Sequence, residues 1–400
     1  MSLTFHWFLP SYGDSRYIVG GGHGLPAGVA GGSRPATLDY LGQIARSAEQ
    51  LGFVGALIPT GAWCEDAWIV TAMLTEVTKH LKFLVAIRPG LLSPTLAAQM
   101  AATFQHHSKG RLLLNVVAGG EPHEQKTYGD HLSKEERYAL ADEFLAVSRR
   151  LWAGEQVDFK GRHFDIQGAK LQRPPATVPP LYIGGSSEAA GAVTAKHIDV
   201  YLTWGEPFDA VKKKVGWIRK LAEAEGRRVR FGIRLHVITR DTAEAAWAEA
   251  ERLLAAIDDE TIAKVQAGLA RSEGVGQKNM LALHGGKKDR LVIGPNLWAG
   301  FGLVRGGAGT ALVGSHTEVA DRIQELKEIG IEEFVLSGVP HLEEAYWFGE
   351  GVLPILRERG LWRHPRGDHP SEKPDVPFAA GAVKEPVRPK HPEPAVPAAE

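Results

Sequence analysis

Residues 181–202 read LYIGGSSEAAGAVTAKHIDVYL, and this stretch decides the class of fold. Two short apolar runs, Leu181–Ile183 and Val200–Leu202, are typical of buried β-strands. Between them a Gly-Gly-Ser-Ser turn precedes Glu188–His197, which is long enough for a helix and has apolar residues at helical spacing. A strand, a crossover helix and a second strand in so short a stretch predict a unit with parallel strands.

The same alternation extends over most of the chain and predicts eight strands, each followed by a helix. The strands are predicted at Phe5–Leu9, Val54–Ile58, Lys82–Ile87, Leu112–Val117, Leu181–Ile183, Val200–Leu202, Arg230–Ile238 and Phe334–Leu336. The helices are predicted at Leu38–Leu51, Cys64–His80, Pro94–His107, Glu135–Trp152, Glu188–His197, Phe208–Glu225, Thr242–Ile257 and Leu342–Arg359. Eight such units favour an α/β fold, a (β/α)₈ TIM-type barrel, over an open doubly wound sheet, which shares the local pattern.

Two insertions interrupt the alternation, at about residues 157–172 and 258–316, within a barrel expected to span residues 1–363. The first insertion has the pattern of a hairpin. A glycine-rich loop, Gly20–Gly32, is expected to be mobile until a ligand binds, because glycine loses the most backbone entropy on ordering. Residues 364–400 form a proline-rich tail without hydrophobic periodicity, which cannot build a core of its own and is expected to act in subunit assembly.

The charge balance and the cysteine count exclude several classes of protein. Forty-six basic and 47 acidic residues give a net charge of −1, so no summed field would attract nucleic acid or an anionic membrane. The single cysteine excludes an intrachain disulfide framework and a multi-cysteine metal site, and no metal-binding motif is recognisable. Without a secretory signal or a long apolar run, we expect a cytoplasmic protein that acts on a small molecule.

The turn Gly184–Ser187 offers backbone N–H groups and two hydroxyls at the start of a predicted helix. This combination suits a phosphate monoester, although a serine that only caps the helix would look the same.

Three cationic or imidazole side chains are candidates for an anion site. Arg234 and His236 alternate on one face of a predicted strand, where burial would require an anionic or polar partner; a buried ion pair is the alternative. Arg305 lies in a glycine-rich stretch, Gly302–Gly309, which we interpret as a mobile loop able to close over an anion. A solvated surface charge is the alternative for Arg305. Cys64 taken alone is more typical of a small buried apolar side chain.

Several segments closely resemble the FMNH₂-dependent alkanesulfonate monooxygenases of the bacterial luciferase-like superfamily. They are Phe8–Pro10, Leu57–Gly61, Cys64–Asp66, Lys82–Ala86, Tyr182–Ser187, Tyr201–Pro207, Phe231–His236, Pro295–Ala299, Leu303–Gly314 and Pro340–Glu344. The resemblance covers roughly residues 5–355 and implies a luciferase-like barrel with insertions.

The resemblance also implies an activity and a set of site residues. A separate NAD(P)H-dependent reductase would supply reduced FMN, which with O₂ would cleave the C–S bond of an organosulfonate to sulfite and an aldehyde. The flavin would be bound by Asn115, Tyr138, Gly185, Ser186 and Ser187, with Cys64 close to it. The sulfonate pocket would comprise Trp204, Arg234, His236, Arg305 and His341. Catalytic positions would be Arg234, His236, Arg305 and Cys64, in a homodimer or a dimer of dimers.

Three departures from the family pattern leave the substrate open, and one of them is a longer glycine loop before Ser33–Pro35. Tyr12 stands where the family commonly has histidine, and Val339 where it commonly has tyrosine. A pocket widened at Val339, with His123, Trp204 and His341 nearby, would suit a sulfosugar such as sulfoquinovose. A deazaflavin (F420)-dependent hydride transferase and a noncatalytic flavin-binding barrel are the remaining alternatives.

Overall fold

The computed structural model describes residues 2–18, 34–119 and 121–367. The chain divides into two units, Met1–Arg363 and His364–Glu400. The second unit is described only over residues 364–367. The predictions about the glycine loop Gly20–Gly32 and about the tail beyond residue 367 lie outside the described residues and stay predictions.

Eight parallel strands close into a barrel, as the sequence predicts. In chain order the described strands are β1 (Thr4–Phe8), β2 (Gly55–Ile58), β3 (Lys82–Ile87), β4 (Leu112–Val116), β5 (Val157–Lys160), β6 (Asp165–Ala169), β7 (Leu181–Gly184), β8 (Val200–Trp204), β9 (Arg230–Arg240), β10 (Val292–Gly294), β11 (Leu297–Trp298), β12 (Ala311–Ser315) and β13 (Glu333–Ser337). Around the barrel the order is β1, β2, β3, β4, β7, β8, β9, β13 and back to β1. The (β/α)₈ prediction is therefore confirmed.

Helices follow the barrel strands and cover the outside of the barrel. The described helices are α1 (Leu38–Leu51), α2 (Ala67–Leu74), α3 (Pro94–Ser108), α4 (Pro122–Thr127), α5 (Lys134–Trp152), α6 (Glu188–His197), α7 (Phe208–Ala224), α8 (Ala243–Ala255), α9 (Asp259–Leu269), α10 (Val275–His284), α11 (His316–Glu328), α12 (His341–Tyr346) and α13 (Leu353–Glu358). Side-chain caps fix many of their starts; Ser133 and Glu136, for example, form a reciprocal capping box at α5. None of the described helices has both the length and the apolarity needed to cross a bilayer.

The core lies in the barrel and between its strands and the surrounding helices. Phe5 on β1 is fully buried and stacks on Phe334 of β13 with ring centroids 5.1 Å apart. Each such buried side chain contributes about 1.5–3 kcal/mol of apolar transfer free energy. A polar group also lies in the interior: Glu333 accepts a hydrogen bond from Tyr182 at 2.8 Å and pairs with Arg230. The buried carboxylate therefore has the partners that its desolvation requires.

Two predicted helices differ from the structure. The helix predicted at Cys64–His80 is α2, which starts later because the Asp66 side chain caps it, accepting from the Ile69 amide at 2.9 Å, and which ends earlier, at Leu74. Cys64 consequently lies in the loop before the helix. The single helix predicted at Leu342–Arg359 is split into α12, a π-helical turn at Trp347–Val352, and α13. Pro354 near the start of α13 has no amide hydrogen, so it cannot continue the helical ladder.

The two insertions contain regular structure of their own. Strands β5 and β6 form an antiparallel pair, which confirms the predicted hairpin. The region predicted as a long insertion at 258–316 contains α9, α10 and, unexpectedly, the parallel strand β12. Strand β9 is eleven residues long, and β12 pairs with its second half, with Ala311 opposite His236 and Ser315 opposite Arg240. Helix α11 then leads to β13. The sequence prediction did not include the strands β10, β11 and β12 or the helices α4, α9, α10 and α11.

Candidate active site

A cavity opens at the C-terminal ends of the barrel strands, the position at which barrel enzymes place their sites. Its lining includes nine residues that the sequence singled out: Asn115, Tyr138, Gly185, Ser186, Ser187, Trp204, Arg234, His236 and Arg305. Cys64 and His341 are not part of this lining. The insertion adds a further set of lining residues that the sequence did not single out: Ser272, Gly274, Val275, Gly276 and Gln277.

One end of the cavity is the turn between β7 and α6, and its geometry requires glycine. Gly185 has a φ of 150°, and a Cβ at this position would lie 2.6 Å from the Ala190 Cβ and 3.1 Å from the Tyr138 hydroxyl. A side chain at position 185 would therefore fill the space beside the first turn of α6. The turn instead leaves its backbone and hydroxyl groups open toward the cavity.

Four hydroxyls surround this turn. Ser187 caps α6, accepting from the Ala190 amide at 3.3 Å, and it is hydrogen-bonded to Tyr138. The Tyr201 hydroxyl donates to the Gly185 carbonyl at 2.5 Å and contacts Ser186. Burial raises the pKa of both tyrosines, so their phenols stay protonated donors. Hydroxyl donors at the N-terminus of a helix are suited to a phosphate group.

The sequence analysis missed Tyr201 because its strand neighbours are apolar, which made it resemble an ordinary core residue.

The middle of the cavity is largely apolar. Leu57, Ala86, Val116 and Ala118 line it, and Asn115 at the end of β4 supplies an amide. An apolar surface with one amide that can both donate and accept fits a flat heteroaromatic ring.

Arg234, on the inward face of β9, lies at the other end of the cavity. Its guanidinium donates to the Ser337 hydroxyl at 2.9 Å and lies over the Phe8 ring, 4.8 Å from the centroid. Burial, with a further effect of Arg305, lowers the pKa of Arg234 to about 9. The group therefore still carries its charge at neutral pH, in a region that favours the uncharged form.

Arg305 brings a second guanidinium to the same region from the loop after the 3₁₀ turn Gly300–Leu303. The side chain is only 6% exposed; it donates to the Tyr12 hydroxyl and lies over the Tyr12 ring, and its Nε has no partner. Within the described part of the chain, neither Arg234 nor Arg305 has a carboxylate within 4.0 Å. Two buried cations without a counter-charge among the described residues favour the binding of an anion.

His236 links Arg234 to the loop that carries Arg305. Its Nε2 lies 3.1 Å from the Ala308 carbonyl oxygen, which can only accept, so Nε2 carries the hydrogen. Its Nδ1 lies 2.7 Å from the hydroxyl of Ser337, which donates to it while accepting from Arg234. Burial, Arg234 and Arg305 lower the pKa of His236 well below its usual value, so the ring is neutral. In this arrangement neither ring nitrogen is free, and the histidine holds the loop in place.

Cys64 lies in the apolar cluster that includes Phe8 and Leu57, with its sulfur 3.4 Å from the Gly61 carbonyl oxygen. Burial raises the pKa of the Cys64 thiol to about 12, so it is a thiol rather than a thiolate at neutral pH. The side chain is therefore not an activated nucleophile.

His341 is held by Asp14, a residue that the sequence analysis did not single out. His341 Nδ1 lies 3.0 Å from one Asp14 carboxylate oxygen, and its backbone amide donates to the other at 2.8 Å. Burial opposes ionisation of Asp14, but His341 and several hydrogen bonds lower its pKa to about 2. Nδ1 of His341 is consequently the protonated nitrogen, and its buried Nε2 has no partner among the described residues.

Val339, which suggested a wider pocket, does not line the cavity, and neither does His123. Val339 is buried in a cluster with Phe301 and Val304, and His123 is exposed on α4. The additional room expected from Val339 is therefore not seen in the cavity wall. No group of three or more His, Cys, Asp or Glu side chains in residues 2–18, 34–119 and 121–367 could hold a metal ion.

Comparison with known proteins agrees with this geometry. Residues 4–333 match the family described as luciferase-like monooxygenase. The fold is similar to that of riboflavin lyase RcaE, solved with modified FMN and riboflavin, with a TM-score of 0.75, 24% identity, and coverage of 92% of this chain and 94% of that one. The long-chain alkane monooxygenase LadA gives a TM-score of 0.73 and 22% identity over 91% of this chain and 93% of LadA. EDTA monooxygenase from Chelativorans sp. BNC1 gives a TM-score of 0.69 and 17% identity, over 91% of this chain and 96% of that one.

At these identities the structural likeness shows the fold alone, whereas the family match covers most of the chain. The chain belongs to the luciferase-like monooxygenase family. The prediction of an oxidoreductase is thus confirmed, and the match does not extend to the alkanesulfonate subtype.

Proposed function

We propose that this luciferase-like monooxygenase is a two-component enzyme that uses reduced FMN and O₂ to cleave the C–S bond of an organosulfonate, giving sulfite and an aldehyde. A separate NAD(P)H-dependent reductase would supply the reduced flavin, and the enzyme would act as a homodimer or a dimer of dimers.

The pair of uncompensated guanidinium groups carries this proposal. Arg234 and Arg305 are buried, point into one cavity and lack a carboxylate partner in the described structure. A sulfonate is anionic at any physiological pH and presents paired oxygens that match the fork of a guanidinium. Its charge would compensate the two cations without the proton equilibrium that a weaker acid would introduce. A neutral substrate would leave both cations buried and unpaired.

The other end of the cavity fits the phosphate of FMN. Ser186, Ser187, Tyr138 and Tyr201 present hydroxyls at the start of α6, and Gly185 leaves space that a side chain would fill. The apolar middle section and the Asn115 amide would hold the isoalloxazine ring. When bound, the reduced flavin supplies the oxygen chemistry, and the protein orients and shields the reactants.

Residues of the chain would bind the substrate and exclude water from it. Arg234 and Arg305 would bind and orient the sulfonate oxygens. The loop from Val304 to Gly309 would exclude water, held by the contacts of Arg305 with Tyr12 and of Ala308 with His236. Because Arg305 and Ala308 lie on this loop, substrate binding and loop closure would be linked.

The test is sulfite release with reduced FMN supplied by a flavin reductase, across linear alkanesulfonates and sulfoquinovose. Arg305→Ala should lower sulfite release by about 100-fold or more, and Arg305→Lys should recover little, since lysine lacks the planar fork. Arg228→Ala, at a side chain 76% exposed, is the control for loss of a positive charge. Sulfite release by Arg305→Ala at the native rate would refute the anion site. A preference for sulfoquinovose would favour the sulfosugar alternative.

A further inference from the structure

A second cavity, of about 350 Å³, lies beside the one proposed for flavin and has no part in the proposed reaction. Residues 88–91 after β3, residues 128–132 after α4, and Arg137 and Leu140 of α5 line it. Ala118 borders both cavities, so the two share a wall.

The lining of this second cavity contains buried donors without acceptors. Arg88, Arg137 and Gln125 are 7%, 6% and 2% exposed. Among the described residues, no hydrogen-bond partner is available to Nε and Nη1 of Arg88, Nε and Nη2 of Arg137, or Nε2 of Gln125. All five atoms are N–H donors and none can accept. The residues that line the cavity thus include donors from three different chain segments.

The partners that these side chains do have engage only part of each guanidinium. Arg88 pairs through Nη2 with Glu124 at 2.8 Å, and Arg137 donates through Nη1 to the Leu132 carbonyl at 2.6 Å. Arg137 Nη2 lies 3.7 Å from Glu273, beyond hydrogen-bond length. Each guanidinium therefore keeps an edge without a partner, while its charge is partly compensated.

The acidic side chain of the lining, Asp130, does not serve these donors. Its carboxylate accepts from the Leu132 amide at 2.9 Å and so stabilises its own turn. Gln125 packs closely on Gly119: a Cβ at that position would lie 1.7 Å from the Gln125 Nε2. The amide therefore packs tightly against the backbone of the wall between the two cavities.

We propose that this second cavity binds a small oxyanion such as sulfite, sulfate or phosphate. An oxyanion has acceptors on every side and no hydrogen that needs an acceptor in return, so it matches a lining of donors. The proposal does not depend on the C–S cleavage reaction, since phosphate and sulfate are available to any enzyme of this fold.

Calorimetric titration of the flavin-free protein with sulfite, sulfate and phosphate tests the proposal and separates the sources of the ion. Gln125→Leu removes one donor that has no partner to lose, so it should keep the native melting temperature while weakening oxyanion binding about tenfold. Arg137→Met should weaken binding by at least as much. Tighter binding of sulfite than of phosphate would identify a site for a sulfur oxyanion; the reverse order would identify a phosphate site.

The flavin cavity can itself bind anions, so its variants serve as the matched comparison. Two variants of the flavin cavity serve here: the double variant Ser186→Ala/Ser187→Ala and the single variant Arg305→Ala. Both should keep the oxyanion binding that Gln125→Leu weakens. Arg228→Gln controls for surface charge. If Gln125→Leu binds all three ions as the native protein does, or if only the flavin-cavity variants change the titration, the second cavity holds water and the proposal is wrong. Sulfite release is a separate measurement, so a failure here leaves the proposed function untouched.

Discussion

Replacing Asp14 by Asn should destabilise the protein substantially and release His341. The buried Asp14 carboxylate accepts four hydrogen bonds: from the Ser15 amide at 2.9 Å, from the Tyr40 hydroxyl at 2.6 Å, and from the ring and backbone of His341 at 3.0 and 2.8 Å. An asparagine has one acceptor oxygen, and its NH₂ group would face two of these donors. The substitution thus preserves the shape of the side chain while reversing the polarity of half of its contacts.

The magnitude follows from the carboxylate and its donors. The pKa of Asp14 falls from a usual 3.8 to about 2, because its hydrogen bonds and His341 outweigh the effect of burial. That difference corresponds to roughly 2 kcal/mol of stability. The two buried donors left without an acceptor add about 1–3 kcal/mol each, so Asp14→Asn should cost about 4–8 kcal/mol. Because the folded pKa is depressed, the charge contribution is complete above about pH 4 and is lost as the pH falls through about 2.

Denaturant unfolding near pH 7 and near pH 3 provides the measurement, with Asp289→Asn on the exposed surface as the control. The free-energy difference between the native protein and Asp14→Asn should shrink on acidification. Nitrogen NMR of His341 should show the Nδ1-protonated tautomer in the native protein and a mixture in the variant. An equal free energy of unfolding near neutral pH, or a difference that grows toward acid, would refute the reasoning.

The other predictions concern the phosphate end of the cavity and the buried residue Val339. Replacing both Ser186 and Ser187 by Ala should weaken the binding of reduced FMN much more than that of reduced riboflavin, because only FMN has the phosphate. Equal losses of affinity for the two flavins in a binding titration would reject the phosphate site. Val339→Tyr should overpack a position that is 3% exposed and cost about 1–3 kcal/mol in denaturant unfolding. An unchanged stability, together with an unchanged ratio of sulfoquinovose to alkanesulfonate turnover, would remove Val339 from any account of specificity.

The barrel was predictable because its strands and helices are set by local periodicity. The helix Glu188–His197 was predicted with its observed bounds. The strand β12 escaped prediction because it lies within a long irregular region and pairs with the far half of β9, a partner about 75 residues earlier. The start of α2 depended on a single capping contact of Asp66, which apolar periodicity does not register.

The site was predictable only in part, for a similar reason. Arg234 and His236 could be placed on one face because a strand has a period of two. Ser337, which joins them, is 101 positions away from His236 in the sequence. Asp14, which holds His341, is 327 positions away from it. Nothing in the local sequence around either residue distinguishes it from a turn or strand-end residue.

The length of β9 has a consequence for how such a barrel can diversify. Its first half is built into the barrel with β8 and β13, and its second half anchors β12, to which the loop bearing Arg305 leads. Helices α9 and α10 and the strands β10 and β11 all precede that anchor in the chain. Insertions or deletions in these elements can change the residues that line the cavity. The pairing of β12 with β9 still fixes Ala311 opposite His236. Evolution can thus exchange segments that line one side of the cavity without rebuilding the strand that carries Arg234 and His236.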